Sequence, residues 1–268
     1  MIKKILIGAD PELFLEKEGV IVSAEGIIGG SKWEPKEIDY KDHYIQEDNV
    51  MIEFNIPPSE DKKSFVHSIN YVKNYLKTLV NIKGYELNFS SSANIDSKFL
   101  RTSQAKMFGC DPDLNVYLKQ QNESPSSNTT LRTCGGHIHI GYDNPSIETS
   151  EKIVYAMDMM LGLDSIILDS DVKRRSMYGK AGSFRFKPYG LEYRTLSNFW
   201  IKNDKSIEWT YDRTIKAIEL VNKGLIDDLI EKYSSEVQFI IDNNNVEGSI
   251  ELSSKINNEI NNKVKIQK

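Results

Sequence analysis

The sequence predicts an α+β fold: a largely antiparallel, curved sheet with one face forming an active site and helices packed on the other. Three observations predict it. Val50, Ile52, Phe54 and Ile56 alternate strictly with other residues, the period of a half-buried strand. Phe65, Ile69, Val72, Leu76 and Leu79 recur at three- and four-residue steps, the stripe of an amphipathic helix. Four separate β-prone stretches carry apolar residues on one face and chemistry-bearing residues on the other: Asp10 and Glu12, Glu53 and Asn55, His137 and His139, Glu192 and Arg194. A sheet with one apolar and one polar face is the antiparallel arrangement, and the apolar side needs helices to cover it.

The elements follow in chain order. Ile5, Leu6 and Ile7 begin a strand that continues through Asp10-Pro-Glu12 to Glu16. Pro11 cannot donate to a ladder, so it marks an edge or a bulge. Residues 21–35 read as short strands and turns around Gly29-Gly30. The alternating strand at 50–56 is expected to stop at Pro57-Pro58. The helix that follows spans 59–83, with Ser59 as its cap, acids in its first turn and Gly84 as its stop. His67 is off the stripe and is expected at the surface.

Tyr85 to Ala93 is a strand. Asp111-Pro-Asp113 is a turn cluster before a short strand, inside a loop, Gly109 to Asn115, that offers either a substrate contact or a structural turn. Residues 120–130 form an Asn-, Ser- and Thr-rich surface loop. Cys134-Gly-Gly-His-Ile-His-Ile-Gly-Tyr142 is the central strand. A second helix over 147–169 carries Ile153, Met157, Met160, Leu163 and Ile167 as core. A basic segment, 173–187, reads as a solvated loop or a phosphate-binding one. Gly190 to Leu196 is a strand, 206–223 a third helix ending at Gly224, and 225–241 one or two more helices. Residues 1–240 thus form one domain, and 241–268 a polar, Asn-rich tail.

Composition narrows the function. Of 268 residues, 39% are apolar and 27% charged, the balance of a globular chain. The net charge of −5 provides no field for nucleic acid, so nucleic-acid contact is not expected. Cys110 and Cys134 are too few for a disulfide framework and read as reduced thiols, which places the chain in a cytoplasm. The N-terminal apolar run is too short for a signal peptide, and no stretch reaches membrane-spanning length.

The polar face carries the chemistry. Several carboxylates on one concave floor repel, and divalent cations relieve that repulsion. Oxygen-rich sites suit Mg²⁺ or Mn²⁺, while a histidine in the set also suits Zn²⁺ or Fe²⁺. Arg174, Arg175, Lys180, Arg185 and Arg194 add the cations that phosphate oxygens require. Taken alone, His137 and His139 are equally two buried, hydrogen-bonded histidines, and Glu192 with Arg194 an ordinary surface pair.

Five blocks in sequence resemble the glutamine-synthetase-like carboxylate–amine ligases, most closely their phage-type amidoligases. They are Gly8-Ala-Asp-Pro-Glu-Leu-Phe-Leu15, Glu53-Phe-Asn55, Gly135-Gly-His-Ile-His139, Lys180-Ala-Gly-Ser-Phe-Arg185 and Leu191-Glu-Tyr-Arg194. The resemblance implies the catalytic-domain fold of glutamine synthetase, ATP with Mg²⁺ (or Mn²⁺), and small-molecule or peptide carboxylates and amines as substrates. It implies Asp10 as ligand of one metal ion and Glu12 of the other, with Glu53, His137 and Glu192 as further ligands. An acid upstream of Glu53 is usual, and Glu47 is the candidate. His139 and Lys180 would approach the nucleotide phosphates, although arginine is usual where this chain has Lys180. Arg185 would contact phosphate, and Arg185 and Arg194 would offset charge during transfer. No segment matches the domain that completes the site of glutamine synthetase across a subunit boundary. Glutamate, ammonia and a dodecamer are therefore not carried over.

The implied reaction is ATP-dependent amide formation through an acyl phosphate, in a host cytoplasm if the gene is carried by a phage. Three alternatives stand beside it: a non-enzymatic nucleotide- or metal-binding module, a phosphagen-kinase-like phosphotransferase, and a cupin-like metalloenzyme. The last needs a distant third histidine, and only His43 and His67 are left to supply it.

Overall fold

The computed structural model describes residues 1–106, 113–123 and 129–266. Cys110, most of the Gly109–Asn115 loop and the centre of the 120–130 loop lie outside the described residues.

The chain opens with β1 (Leu6–Ala9), β2 (Glu12–Lys17), β3 (Val20–Val22), β4 (Lys36–Glu37), β5 (Tyr44–Asp48) and β6 (Met51–Ser59). Helix α1 (Lys62–Ile82) leads to β7 (Glu86–Asn88), β8 (Ser92–Asn94) and the single turn α2 (Ser103–Lys106). Then come β9 (Leu114–Asn115), β10 (Gln120–Gln121), β11 (Leu131–Thr133) and β12 (Ile138–Gly141). Helices α3 (Ile147–Met157) and α4 (Leu163–Leu168) precede the hairpin β13 (Ser183–Lys187) and β14 (Gly190–Tyr193). Three helices follow: α5 (Asp204–Asn222), α6 (Ile226–Asp242) and α7 (Val246–Ile266).

The large sheet is antiparallel throughout its named pairs, with central order β13-β14-β12-β1-β6-β2. The four strands singled out by their two-faced pattern are therefore neighbours. Their apolar residues, among them Ile7, Ile52, Phe54, Ile138, Ile140, Leu191 and Tyr193, enter one core with α1, α3 and α5. The predicted α+β class, with helices on the apolar side of an antiparallel sheet, is what the chain forms.

Local details differ from expectation for physical reasons. Strand β6 runs through Pro57-Pro58 to Ser59 instead of stopping there. The ladder with β1 shifts register between Ile7 and Ala9, so the prolines sit at an irregularity where missing donors cost little. Ser59 is thereby buried in the strand. Asp61 caps α1 instead, accepting from the Ser64 amide at 2.9 Å. The apolar stripe of α1 is as predicted, with Phe65, Ile69, Val72 and Leu76 fully buried.

The second predicted helix is interrupted by a π turn, Asp158–Gly162, in which the Leu163 amide reaches back to the Asp158 carbonyl. One extra residue rotates everything after it. Ile166 is therefore buried while Ile167 is 44% exposed, against the simple 3.6-residue period. Where composition predicts a polar tail at 241–268, α7 forms. Leu252, Ile256 and Ile260, spaced by four residues, bury against α4 and α6.

The π turn also places Asp158 behind the site. Its carboxylate is buried and accepts from the Gly182 amide and the Tyr193 phenol, both at 2.6 Å, and from Thr195 Oγ1 at 3.2 Å. Burial pushes this carboxyl up to about 7, and Tyr193, the Gly182 amide and Tyr117 restrain the rise. Tyr193 and Thr195 alternate with Glu192 and Arg194, so Asp158 grips the strand that presents them. Asp158→Asn would set an amide N–H₂ against donors, and is expected to lower unfolding stability by roughly 1–3 kcal/mol in urea titrations.

Candidate active site

Strand parity sets several of the side chains on the polar face. Opposed residues in an antiparallel pair share a face. Glu12 lies opposite Glu53, His139 opposite Glu192, and Arg185 opposite Glu192 on its other side. These side chains line one pocket of about 290 Å³, together with Asp10, Asp48, His137, Lys187 and Arg194.

Two groups of ligand-type atoms result. Asp10, His139 and Glu192 each offer one atom within 4.8 Å of the others; Glu12, Asp48 and Glu53 do the same. In the first group His139 Nε2 is 3.1 Å from Asp10 Oδ2. Among the described residues, neither His139 Nε2 nor the buried Asp10 Oδ1 has a hydrogen-bond partner. A carboxylate–imidazole–carboxylate set fits a divalent cation, and the all-carboxylate set fits a hard one such as Mg²⁺ or Mn²⁺.

The electrostatics of the two groups are opposite. Burial pushes Asp10 up, but the His139 and His137 rings outweigh it and hold Asp10 well below the usual carboxylate range. Glu192 is also buried and repelled by Asp10, yet Arg194 and the two histidines bring it down to about 2. It makes ion pairs with Arg194, Lys187 (3.0 Å) and Arg185 (3.6 Å). In the second group the compensation is weaker: His137, the Gly135 amide and Arg194 restrain Glu12, and Gln46 restrains Glu53. Burial, then repulsion from Asp10, Asp48 and Glu12, pushes Glu53 well above its ordinary value, and burial pushes Glu12 up too.

Glycine explains how the histidine strand approaches. A Cβ on Gly135 would strike the His137 ring, and one on Gly136 would strike the Ser197 carbonyl and the Trp200 indole. Without them, the Gly135 amide donates to Glu12 Oε2 at 2.5 Å and the Glu12 amide to the Gly135 carbonyl at 2.9 Å. The two strand ends are thus locked together beside the acids.

Most residues expected at the site are there: Asp10, Glu12, Glu53, His137, His139, Arg185, Glu192 and Arg194. Their grouping differs in detail from the one the resemblance implies. The first ligand group contains His139, which the resemblance aimed at the phosphates. His137 Nδ1 faces Arg194 Nη1 at 3.2 Å and Asp10 Oδ1 at 3.3 Å. Glu47 does not join. Its carboxylate accepts from the backbone amides of Gly26, Ile27, Ile28 and Gly29 at 2.7–3.0 Å. The acid on the pocket face is Asp48.

Lys180 does not line the pocket either. The left-handed Gly182 turns the chain between Lys180 and β13, and the Lys180 charge instead lies near Asp242. Arg175 is buried against Ser165 and Asn244, and Arg174 donates to the carbonyls of Thr195 and Arg194. The basic segment is therefore partly a brace, and Arg174, Arg185 and Lys187 are its cations that line the pocket. His43 and His67 cluster with Tyr40 and Tyr71, outside the pocket, so no third histidine joins His137 and His139 among the described residues.

Sequence reasoning missed Lys32, Asp48, Asp113, Lys187 and Tyr189. Lys187 had a signal, two positions after Arg185 on one strand. Asp113 lay in the Gly109–Asn115 loop read as either a substrate contact or a turn, but nothing tied it to the arginines; it reaches Arg194 Nε at 2.6 Å and Arg185 Nε at 3.6 Å.

Two predictions follow from this charge arrangement. A raised carboxyl in the fold means that the folded protein holds a proton that the unfolded chain has lost. Stability then falls as pH rises from the unfolded value of about 4.5 toward the higher folded value. Glu53→Gln is therefore expected to stabilise the metal-free protein by about 1 kcal/mol at pH 8 and by less at pH 5, measured by Tm. The same variant should lose most of the Tm rise produced by Mn²⁺. For the neighbouring pair, calorimetric Mn²⁺ titration should show Asp48→Asn weakening cation binding. Glu47→Gln should instead keep binding but lower Tm, because one backbone nest loses its carboxylate.

Comparison with known proteins agrees with the motifs. Residues 125–219 match the family model of the phage phiEco32-like COOH.NH2 ligase-type 2. None of the curated proteins matches the chain. Among solved structures, GmaS without ligand is similar at 11% identity with a TM-score of 0.43, over 96% of this chain and 69% of that one. The GmaS/ADP complex is similar at 11% identity with a TM-score of 0.38, over 97% and 70%. Among the described residues no helix is long and apolar enough to cross a membrane. The carboxylate–amine ligase family that the five blocks resemble is therefore matched over 125–219, the stretch that holds His137, His139, Arg185, Glu192 and Arg194.

Proposed function

We propose that this protein is an ATP-dependent carboxylate–amine ligase that activates a carboxylate as an acyl phosphate and then transfers the acyl group to an amine. One observation carries the reading: two three-residue ligand groups lie on one sheet face, with Arg185, Lys187 and Arg194 beside them. Acids that can hold two cations next to fixed guanidinium groups suit polyphosphate, and phosphoryl transfer is catalysed mainly by positioning and charge neutralisation. The family match over residues 125–219 supports the same class of carboxylate and amine substrates.

The chain's residues divide the work. Asp10, His139 and Glu192 would hold one divalent cation and Glu12, Asp48 and Glu53 the other; such ions would offset phosphate charge when bound. Arg194 is fixed by Asp113 and Glu192, so its guanidinium meets developing charge without reorganising. Arg185 is aimed from the adjacent strand and stays close to Asp113 and Glu192. In the first half-reaction a carboxylate oxygen attacks the terminal phosphorus of ATP and ADP leaves. In the second, the amine attacks the acyl carbon, phosphate leaves, and the amine gives up a proton. His137 stands beside Arg194, where it can orient that guanidinium.

The reading is tested with carboxylates labelled with ¹⁸O, mixed amines and Mg-ATP. ADP release that needs both substrate classes, with one label passing into phosphate, is the expected result. Release with a single guanidino acceptor and no label transfer would make the protein a phosphotransferase, and nucleotide binding without turnover would make it a binding module. Arg185→Gln is expected to lower kcat by about 100-fold while leaving Tm within a few degrees, since Arg185 sits at the pocket rather than in the core.

A further inference from the structure

Tyr189 is not part of either ligand group, and no motif points to it. It stands at the tip of the β13–β14 hairpin, in the two-residue connection Pro188-Tyr189 between Lys187 and Gly190. Its phenol shares a hydrogen bond with His139 Nδ1. The two rings lie 6.0 Å apart at an interplanar angle of 35°.

The tip is held in place from several sides. The Tyr142 amide donates to the Tyr189 carbonyl at 2.9 Å. Pro188 restricts the backbone before it. Gly190 follows at a φ of +147°, where an added Cβ would run into the Ile140 carbonyl. The hairpin therefore presses against β12, the strand that carries His139. Tyr189, 43% exposed as a residue, is thus held in position by its backbone more than by burial.

The ring it touches has two nitrogens with different tasks. His139 Nε2 faces Asp10 Oδ2 at 3.1 Å and belongs to the group with Glu192. For Nε2 to offer a lone pair to a cation, the ring proton must sit on Nδ1, and something must accept it. Ligating histidines usually give that N–H to an oxygen, which fixes both tautomer and ring angle. The Tyr189 oxygen lies within hydrogen-bonding reach of Nδ1.

We propose that Tyr189 is a positioning residue for the cation site, its phenol oxygen accepting the Nδ1–H of His139 so that Nε2 is turned, as a bare lone pair, toward Asp10 and Glu192. This rests on reading Asp10, His139 and Glu192 as a cation site, but not on the amide chemistry. When no cation is bound, the same hydroxyl can donate to Nδ1, so the contact persists while its direction reverses. Lys187, at the other end of the same tight turn, pairs with Glu192. The hairpin therefore contacts two of the three members of the ligand group.

The test uses the full chain and metal ions alone, without substrate. Glu12→Gln is introduced first, to weaken the neighbouring carboxylate group. In that background Mn²⁺ affinity is measured by calorimetry with and without Tyr189→Phe. Loss of the hydroxyl is expected to weaken binding by about 10-fold. Chelator-treated samples should melt at nearly the same temperature, since the ring and its backbone contacts remain. The second readout is ¹⁵N–histidine NMR with diamagnetic Zn²⁺. The parent should show His139 metallated at Nε2 and protonated at Nδ1, and Tyr189→Phe should lose the slow exchange of that Nδ1 proton. Equal Mn²⁺ affinity in the two proteins, or metal on Nδ1, would overturn the role of Tyr189 alone. No cation binding by the parent would overturn both this role and the cation site itself, whereas cation binding without any ligase turnover would leave Tyr189's role standing.

Discussion

The crowding of acids on one face of adjacent strands is the constraint on which this structure depends. Asp10, Glu12, Asp48, Glu53 and Glu192 all face a single pocket. Core packing on the opposite face forces this, because Ile52, Phe54, Ile138 and Leu191 have no freedom to exchange sides with their neighbours. A one-residue slip in any of these strands would bury a carboxylate among α1, α3 and α5. The hydrophobic effect therefore concentrates like charge, and the fold must tolerate the consequence. It does so unequally. Imidazoles, Arg194 and Lys187 balance Asp10 and Glu192, while Glu12 and Glu53 remain pushed toward the protonated form.

Much of this was legible in the sequence because strand parity is a local property. The pairs Asp10 and Glu12, His137 and His139, and Glu192 and Arg194 needed only a period of two. The error at Glu47 shows where parity stops. Counting back from Glu53 along one continuous strand places Glu47 on its face. The chain instead folds back at Asn49, whose φ is +57°, and Gln46 pairs with Glu53. Beyond a hairpin, parity is set by register and not by position number. Gln46 and Asp48 then face the pocket, while Glu47 points to the backbone nest at 26–29. Lys180 failed for a similar reason: Gly182, at a φ of +72°, reverses the chain before β13 begins.

Contacts made by loops were beyond that logic. Asp113 meets Arg194 from the residue just before the two-residue strand β9, too short a strand to show a face in the sequence. Tyr189 meets His139 because a two-residue hairpin tip presses on β12, which depends on tertiary packing. The helical tail was hidden differently. Leu252, Ile256 and Ile260 keep a four-residue step, but Asn and Ser between them lower the mean hydropathy to that of a surface segment.

The separation of the two ligand groups comes down to one proline. Asp10 and Glu12 are two residues apart, and on an unbroken strand they would meet the same neighbours. Pro11 separates them. Asp10 follows β1, whose ladder runs beside β12 and hence toward His139, and through β12 toward Glu192. Glu12 opens β2, which pairs with β6 and lies directly opposite Glu53. The Pro11 carbonyl accepts from the Phe54 amide at 3.2 Å, holding the break against β6. An irregularity that weakens the strand as a strand thereby sends two acids, one on each side of Pro11, to two different groups of ligand-type atoms. A straight β1–β2 segment with the same residues would collect Asp10, Glu12 and Glu53 in one cluster, too acidic to stay ionised without metal and leaving His139 and Glu192 with no carboxylate to complete their set.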